Sequence, residues 1–117
     1  GQRSANGFIS LFMVPGMQHC GGGPGPNSFG AQVTTAQSEP QRDLSMALER
    51  WVEKGIAPGQ IIASKYQGAE LKSPVIRTRP LCPYPRVARY KGSGSTDDAA
   101  NFVCTMEESA VGQAKKR

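Results

Sequence analysis

The chain has one histidine, three cysteines and one tryptophan among 117 residues, and each scarcity limits the chemistry open to it. A single imidazole has no partner at H-x(3–5)-H spacing, and the three cysteines form no C-x-x-C pair, so a zinc site finds no recognisable ligand set here. Hydrophobic residues make up 38% of the chain, below the usual ~45–50% of globular domains. No apolar run approaches the ~20 residues that a membrane-spanning helix needs. No charged n-region followed by an apolar h-region marks a secretory signal, and the first residue, Gly1, reads as an internal cut. Residues 1–38 carry one charged side chain, Arg3, which suits a segment lying inside something larger. The nucleophile elbow G-x-S-x-G is absent, and no Lys or Ser/Thr follows Gly21-Gly22-Gly23 at the spacing of a phosphate-binding loop.

What the chain does contain is glycine and proline, together 23 residues, and a net charge of +5. Such a chain is one domain at most, with a modest core that needs a disulfide, a metal or a partner. Between Lys65 and Lys91 lie Lys65, Lys72, Arg77, Arg79, Arg86, Arg89 and Lys91 against one acid, Glu70. With only Tyr66, Tyr84 and Tyr90 to stack on bases and no nucleic-acid motif, this stripe reads as a solvated basic face.

Along the chain, Phe8–Val14, "FISLFMV", is an apolar run stopped by Pro15-Gly16, which predicts a strand buried on both faces, as in parallel sheets. Leu44, Ala47, Leu48, Trp51 and Val52 recur at helical spacing and predict an amphipathic helix. Its start is expected at Ser38 or Glu39 with Pro40, and its stop at Gly55 before Pro58. Gln60–Tyr66 and Pro74–Pro80 read as two short strands around a turn near Gln67-Gly68. "RPLCPYPRVARY" reads as a proline-punctuated loop, and "GSGSTDDAANFVC" as a turn into a short helical piece capped by Ser95, Thr96 or Asp97. Strand, loop and helix in that order make an α/β arrangement, with His19 just past the strand's carboxyl end, where functional groups collect.

"FMVPGMQHCGGGPGP", Phe12–Pro26, holds that one histidine with Cys20 directly after it. An imidazole suits proton transfer near neutral pH, but a solvated loop histidine or a metal ligand fits the spacing of His19 too. No serine is a convincing nucleophile: Ser28 in "PNSFG" has Pro26 where the elbow wants glycine, and Ser93 and Ser95 read as turn residues. Asp97 and Asp98 could meet a cation, although adjacent acids at a turn more often cap a helix. A Cys82–Cys104 bridge would staple the loop-rich last third and leave Cys20 to a partner on another segment; three reduced buried thiols are the alternative.

"LFMVPGMQHCGGGPG", "DLSMALERWVEKGIAPGQIIAS" and "RTRPLCPYPRVARYKGSGSTDDAANFVC" resemble, in order, the C-terminal part of the tannase and feruloyl esterase family, from about Phe8 to Cys104. The resemblance implies a secreted serine esterase acting on phenolic or aromatic esters, with an α/β-hydrolase core and an inserted lid that often binds calcium. On that resemblance, residues 1–110 are the C-terminal fragment of the hydrolase domain: last core strand, histidine loop, amphipathic helix and disulfide-stapled tail. Residues 111–117 are expected to be a disordered end. His19 would be the triad base, Cys20 would be bonded to a cysteine beside the nucleophilic serine, and Cys82 and Cys104 would form the C-terminal disulfide. The serine, the aspartate and the partner of Cys20 would lie on an upstream segment absent from this chain, which alone would be inactive. No cofactor held by this chain, no nucleic acid and no membrane are expected. The rival expectations are a non-catalytic, disulfide-stabilised binding module and a basic nucleic-acid-associated fragment.

Overall fold

Asp43 starts the one long helix among the described residues. Its backbone is extended, and its carboxylate accepts from the amides of Ser45 and Met46 at 2.8 and 3.1 Å, two of the donors that a helix start leaves unmet. The structure is a computed structural model describing residues 5–30, 39–68 and 73–107. Helix α1, Leu44–Lys54, ends at Gly55, whose φ of 68° is the left-handed cap geometry. The predicted stop holds, while the start falls later than Glu39-Pro40, because residues 39–42 form a turn with Arg42 donating to the Glu39 carbonyl. Ser38 lies outside the described residues.

Two antiparallel hairpins follow. Strands β1 (Ile61–Tyr66) and β2 (Val75–Leu81) pair with Ile61 opposite Leu81 and Ala63 opposite Arg79. The two expected strands are therefore present, although residues 69–72, half of the connection between them, lie outside the described residues. Strands β3 (Arg86–Tyr90) and β4 (Phe102–Met106) pair with Ala88 opposite Cys104, and a single 3-10 turn, Ala99–Asn101, precedes β4. This corrects the expectation that "RPLCPYPRVARY" is all loop. Prolines 80, 83 and 85 fall at the end of β2 and in the connection, and the proline-free remainder Arg86–Tyr90 is free to pair. The 3-10 cap is Asp98, which accepts from the Ala100 amide at 2.9 Å, rather than Ser95, Thr96 or Asp97.

The core is small: Ala47 from α1 packs on Ile61, Ala63 and Leu81, with Phe12, Val14 and Phe29 half-buried against it. Of the rest of the predicted helix stripe, Trp51 is half-buried, while Leu44, Leu48 and Val52 are exposed, Val52 at 78%. The Phe8–Val14 run also departs from expectation. It is irregular apart from one antiparallel bridge, Phe12 to Pro83, and Phe8, Ile9, Leu11 and Met13 are exposed. A strand is buried on both faces only when paired neighbours and covering helices surround it; among the described residues this run's strand-like pairing is limited to the Pro83-Tyr84 corner, and only Phe12 and Val14 lean on the core. All paired strands among the described residues are antiparallel. No helix among them is long and apolar enough to cross a membrane. The chain is a small α/β unit.

Candidate active site

His19 is carried on a loop whose two arms pass at backbone contact. The Gly25 amide donates to the Gly16 carbonyl at 3.0 Å. A Cβ on Gly23 would collide with the Gly16 carbonyl, and one on Gly25 with that of Pro15, so only glycine fits at these crossings. Gly16, Gly22 and Gly23 take φ values of 77°, 71° and 85°, which L side chains rarely adopt. The glycines therefore serve the loop's own crossing within this chain. At the tip, Gly21 donates to the Gln18 carbonyl and Gln18 to that of Gly22, closing a turn around His19 and Cys20.

Both tip side chains are exposed, and Cys20 Sγ lies 3.2 Å from His19 Nδ1 and 3.8 Å from Nε2. Cys20 has φ 62°, a left-handed conformation uncommon for a residue with a Cβ. The loop's returning arm is fastened to β1 by an isolated bridge: Ser64 donates to the Ser28 carbonyl at 2.8 Å, and Ser28 to that of Ser64 at 3.0 Å.

That bridge disposes of Ser28 as a nucleophile, because the residue is 7% exposed and built into the sheet edge. Ser95 and the two aspartates are likewise structural. Ser95 Oγ accepts from the Asp97 amide at 3.1 Å, Asp97 pairs with Arg77 at 2.7 Å, and Asp98 caps the 3-10 turn. No group of three or more His, Cys, Asp or Glu that could hold a metal ion occurs among the described residues. Cys82 and Cys104 are disulfide-bonded, with Cα atoms 5.6 Å apart, joining the two hairpins.

The basic stripe proves less solvated than expected. Arg77 pairs with Asp97, Arg79 lies 4.0 Å over the Phe102 ring, and Lys91 Nζ donates to the Ala100 carbonyl. Burial, and then the charge of Arg77, push the Arg79 guanidinium below its ordinary pKa, with Asp97 opposing. Arg86 and Arg89 are exposed, and Lys72 lies outside the described residues. Two side chains were not foreseen at the histidine loop. Asn27 Nδ2 donates to the Gly22 carbonyl at 3.0 Å, and Lys65 Nζ to the Gly23 carbonyl at 2.6 Å. Only the 42-residue separation closed by folding brings Lys65 there, so no local spacing could have singled it out.

The family model described as tannase and feruloyl esterase matches residues 1–105. Over 99 residues the chain is 50% identical to an uncharacterized esterase of Xanthomonas campestris pv. campestris, covering 83% of this chain and 17% of that protein. Over 101 residues it is 48% identical to the mono(2-hydroxyethyl) terephthalate hydrolase of Piscinibacter sakaiensis, covering 86% and 14%. A probable feruloyl esterase B-2 of Neosartorya fischeri is 39% identical over 105 residues, covering 89% and 20%. Among solved structures, an esterase from Aspergillus oryzae superposes with a TM-score of 0.80 at 36% identity, covering 90% of this chain and 21% of that one. Feruloyl esterase B from the same organism gives 0.76 at 32%, covering 90% and 20%. The chain thus spans between 14% and 20% of the length of these curated relatives. With the match running through both the histidine loop and the disulfide-linked hairpins, the chain belongs to the tannase and feruloyl esterase family.

Proposed function

We propose that this chain is the C-terminal portion of a secreted, serine-type carboxylic ester hydrolase acting on esters of phenolic or aromatic acids, and that His19 is its catalytic base. The observation that carries the reading is the family match across the exposed His19-Cys20 tip, a loop built by glycine crossings and fastened to β1. Relatives named as feruloyl esterase and as mono(2-hydroxyethyl) terephthalate hydrolase support an aromatic ester as substrate. In this reading the serine and aspartate of the triad come from a segment outside this chain. His19 takes the proton of the serine hydroxyl as that oxygen attacks the ester carbonyl, then gives it to the departing alcohol. The second half repeats the exchange with water: His19 takes the water proton and returns it to the serine as the acid leaves.

Cys20, directly after the base, would be tied to a cysteine next to that serine, holding base and nucleophile within hydrogen-bond reach. Secretion fits that tether and the Cys82–Cys104 bond, since disulfides persist in oxidising compartments. No cofactor is assigned to this chain. A calcium ion, where a lid holds one, finds no fitting acid cluster among the described residues, and no step is routed through it. The test is hydrolysis of methyl ferulate and methyl gallate by the complete protein and its His19→Ala variant. A loss on the order of a thousandfold or more in kcat is expected, with the disulfides intact. Retention of activity in His19→Ala overturns the assignment. The same substrates offered to residues 1–117 alone should be left untouched until a segment supplying serine and aspartate is added.

A further inference from the structure

The antiparallel bridge between Ser28 and Ser64 makes Asn27 and Lys65 neighbours across it, since the residue before one partner faces the residue after the other. Both side chains then reach the same place. Asn27 Nδ2 donates to the Gly22 carbonyl at 3.0 Å, and Lys65 Nζ to the next carbonyl, Gly23, at 2.6 Å. These carbonyls belong to the arm that returns from the tip, and Gly22 also closes the turn around His19 by accepting from the Gln18 amide. Neither Arg42–Glu39 nor Arg77–Asp97, the ion pairs among the described residues, involves Lys65. Its half-buried ammonium is directed at a loop carbonyl, a charge-assisted bond stronger than a neutral one.

We propose that Lys65, assisted by Asn27, is a positioning residue for His19. The pair clamps the two left-handed glycines behind the tip to β1, so the imidazole projects from a loop fixed to the sheet. The need is physical. A run of three glycines has more backbone freedom than any other tripeptide, and placing a base to within a fraction of an ångström requires that freedom to be removed. Hydrogen bonds to successive carbonyls do so without adding bulk at crossings that admit no Cβ. The inference rests on the reading of His19 as the triad base.

The experiment compares wild type, Lys65→Met, Lys65→Arg and His19→Ala in the complete esterase. It uses methyl ferulate kinetics together with amide hydrogen exchange over residues 16–25. Lys65→Met, which keeps the stem and removes the donor, should lower kcat about tenfold with KM within about twofold. It should also speed exchange at the Gly25 amide, while Lys65→Arg recovers most of both. Wild-type kcat and loop protection in Lys65→Met overturn the proposal, as does a loss seen in KM alone or one that Lys65→Arg fails to repair. Should Lys65→Met not fold, Asn27→Ala carries the same readouts, with about a threefold loss of kcat expected and an unchanged kcat again overturning. The two failures are separable. Activity surviving in His19→Ala removes the base and the positioning role together, whereas a dead His19→Ala beside a fully active Lys65→Met removes the positioning role alone.

Discussion

Replacing both Cys82 and Cys104 by alanine should separate the two hairpins without dissolving the first. The bond spans 22 positions, and in the chain-entropy description closing such a loop contributes about 3 kcal/mol. The other ties between the hairpins are modest. Arg77–Asp97 is 2.7 Å long but about half exposed on both sides, so solvent screening holds it to well under ~1 kcal/mol. Thr78 donates to the Asp97 carbonyl and Ala99 to Thr78 Oγ1, each at 2.8 Å and each worth about 1 kcal/mol. Arg79 over Phe102 adds about 0.5–1 kcal/mol. The disulfide therefore equals roughly the sum of the remaining links, and three of the six buried hydrophobics among the described residues are alanines. The double variant should melt on the order of 10 °C below the wild type, followed by circular dichroism. Hydrogen exchange should show β3 and β4 losing protection while the β1–β2 ladder keeps it. A melting shift under about 3 °C, or equal loosening of both hairpins, would refute the assignment of the bond as the main link.

Gly23→Ala should be costly, because its φ of 85° penalises any Cβ and the new methyl meets the Gly16 carbonyl. About 2–4 kcal/mol is expected in urea denaturation, whereas Gly59→Ala, with open space around it, should change little. Asp43→Ala should cost about 1 kcal/mol by the same measurement, and Asp43→Ser should recover most of it, since either oxygen can cap the amides of Ser45 and Met46. Ser64→Ala should raise stability by about 1 kcal/mol. Its hydroxyl is fully buried without a hydrogen-bond partner among the described residues, while the backbone groups that hold the Ser28 bridge are untouched. A destabilised Ser64→Ala would show that the hydroxyl is satisfied in solution.

Elements whose cause is local could be read directly from the residues. The apolar spacing from Leu44 to Val52 and Gly55 after it imply α1, and the β-branched and aromatic residues flanking Gln67-Gly68 imply the first hairpin. The cap at Asp43 was displaced from expectation by a turn that no apolar period encodes. The strand β3, hidden among prolines, exists because β4 lies beside it, and that pairing is a long-range event. His19 stood out by being the single imidazole, next to a thiol and before three glycines.

The helix, the histidine-bearing glycine loop and the pair of cysteines able to bridge were legible in the residues, because each depends on neighbours in the chain or on a family pattern written in consecutive residues. Folding alone decided that Lys65 leaves the basic stripe for the Gly23 carbonyl, that Arg79 covers Phe102, and that Ser28 is sealed into a bridge with Ser64. Those contacts join residues tens of positions apart. A side chain's charge or hydroxyl is the same in the sequence whether water or a carbonyl receives it, and only the packed backbone determines which.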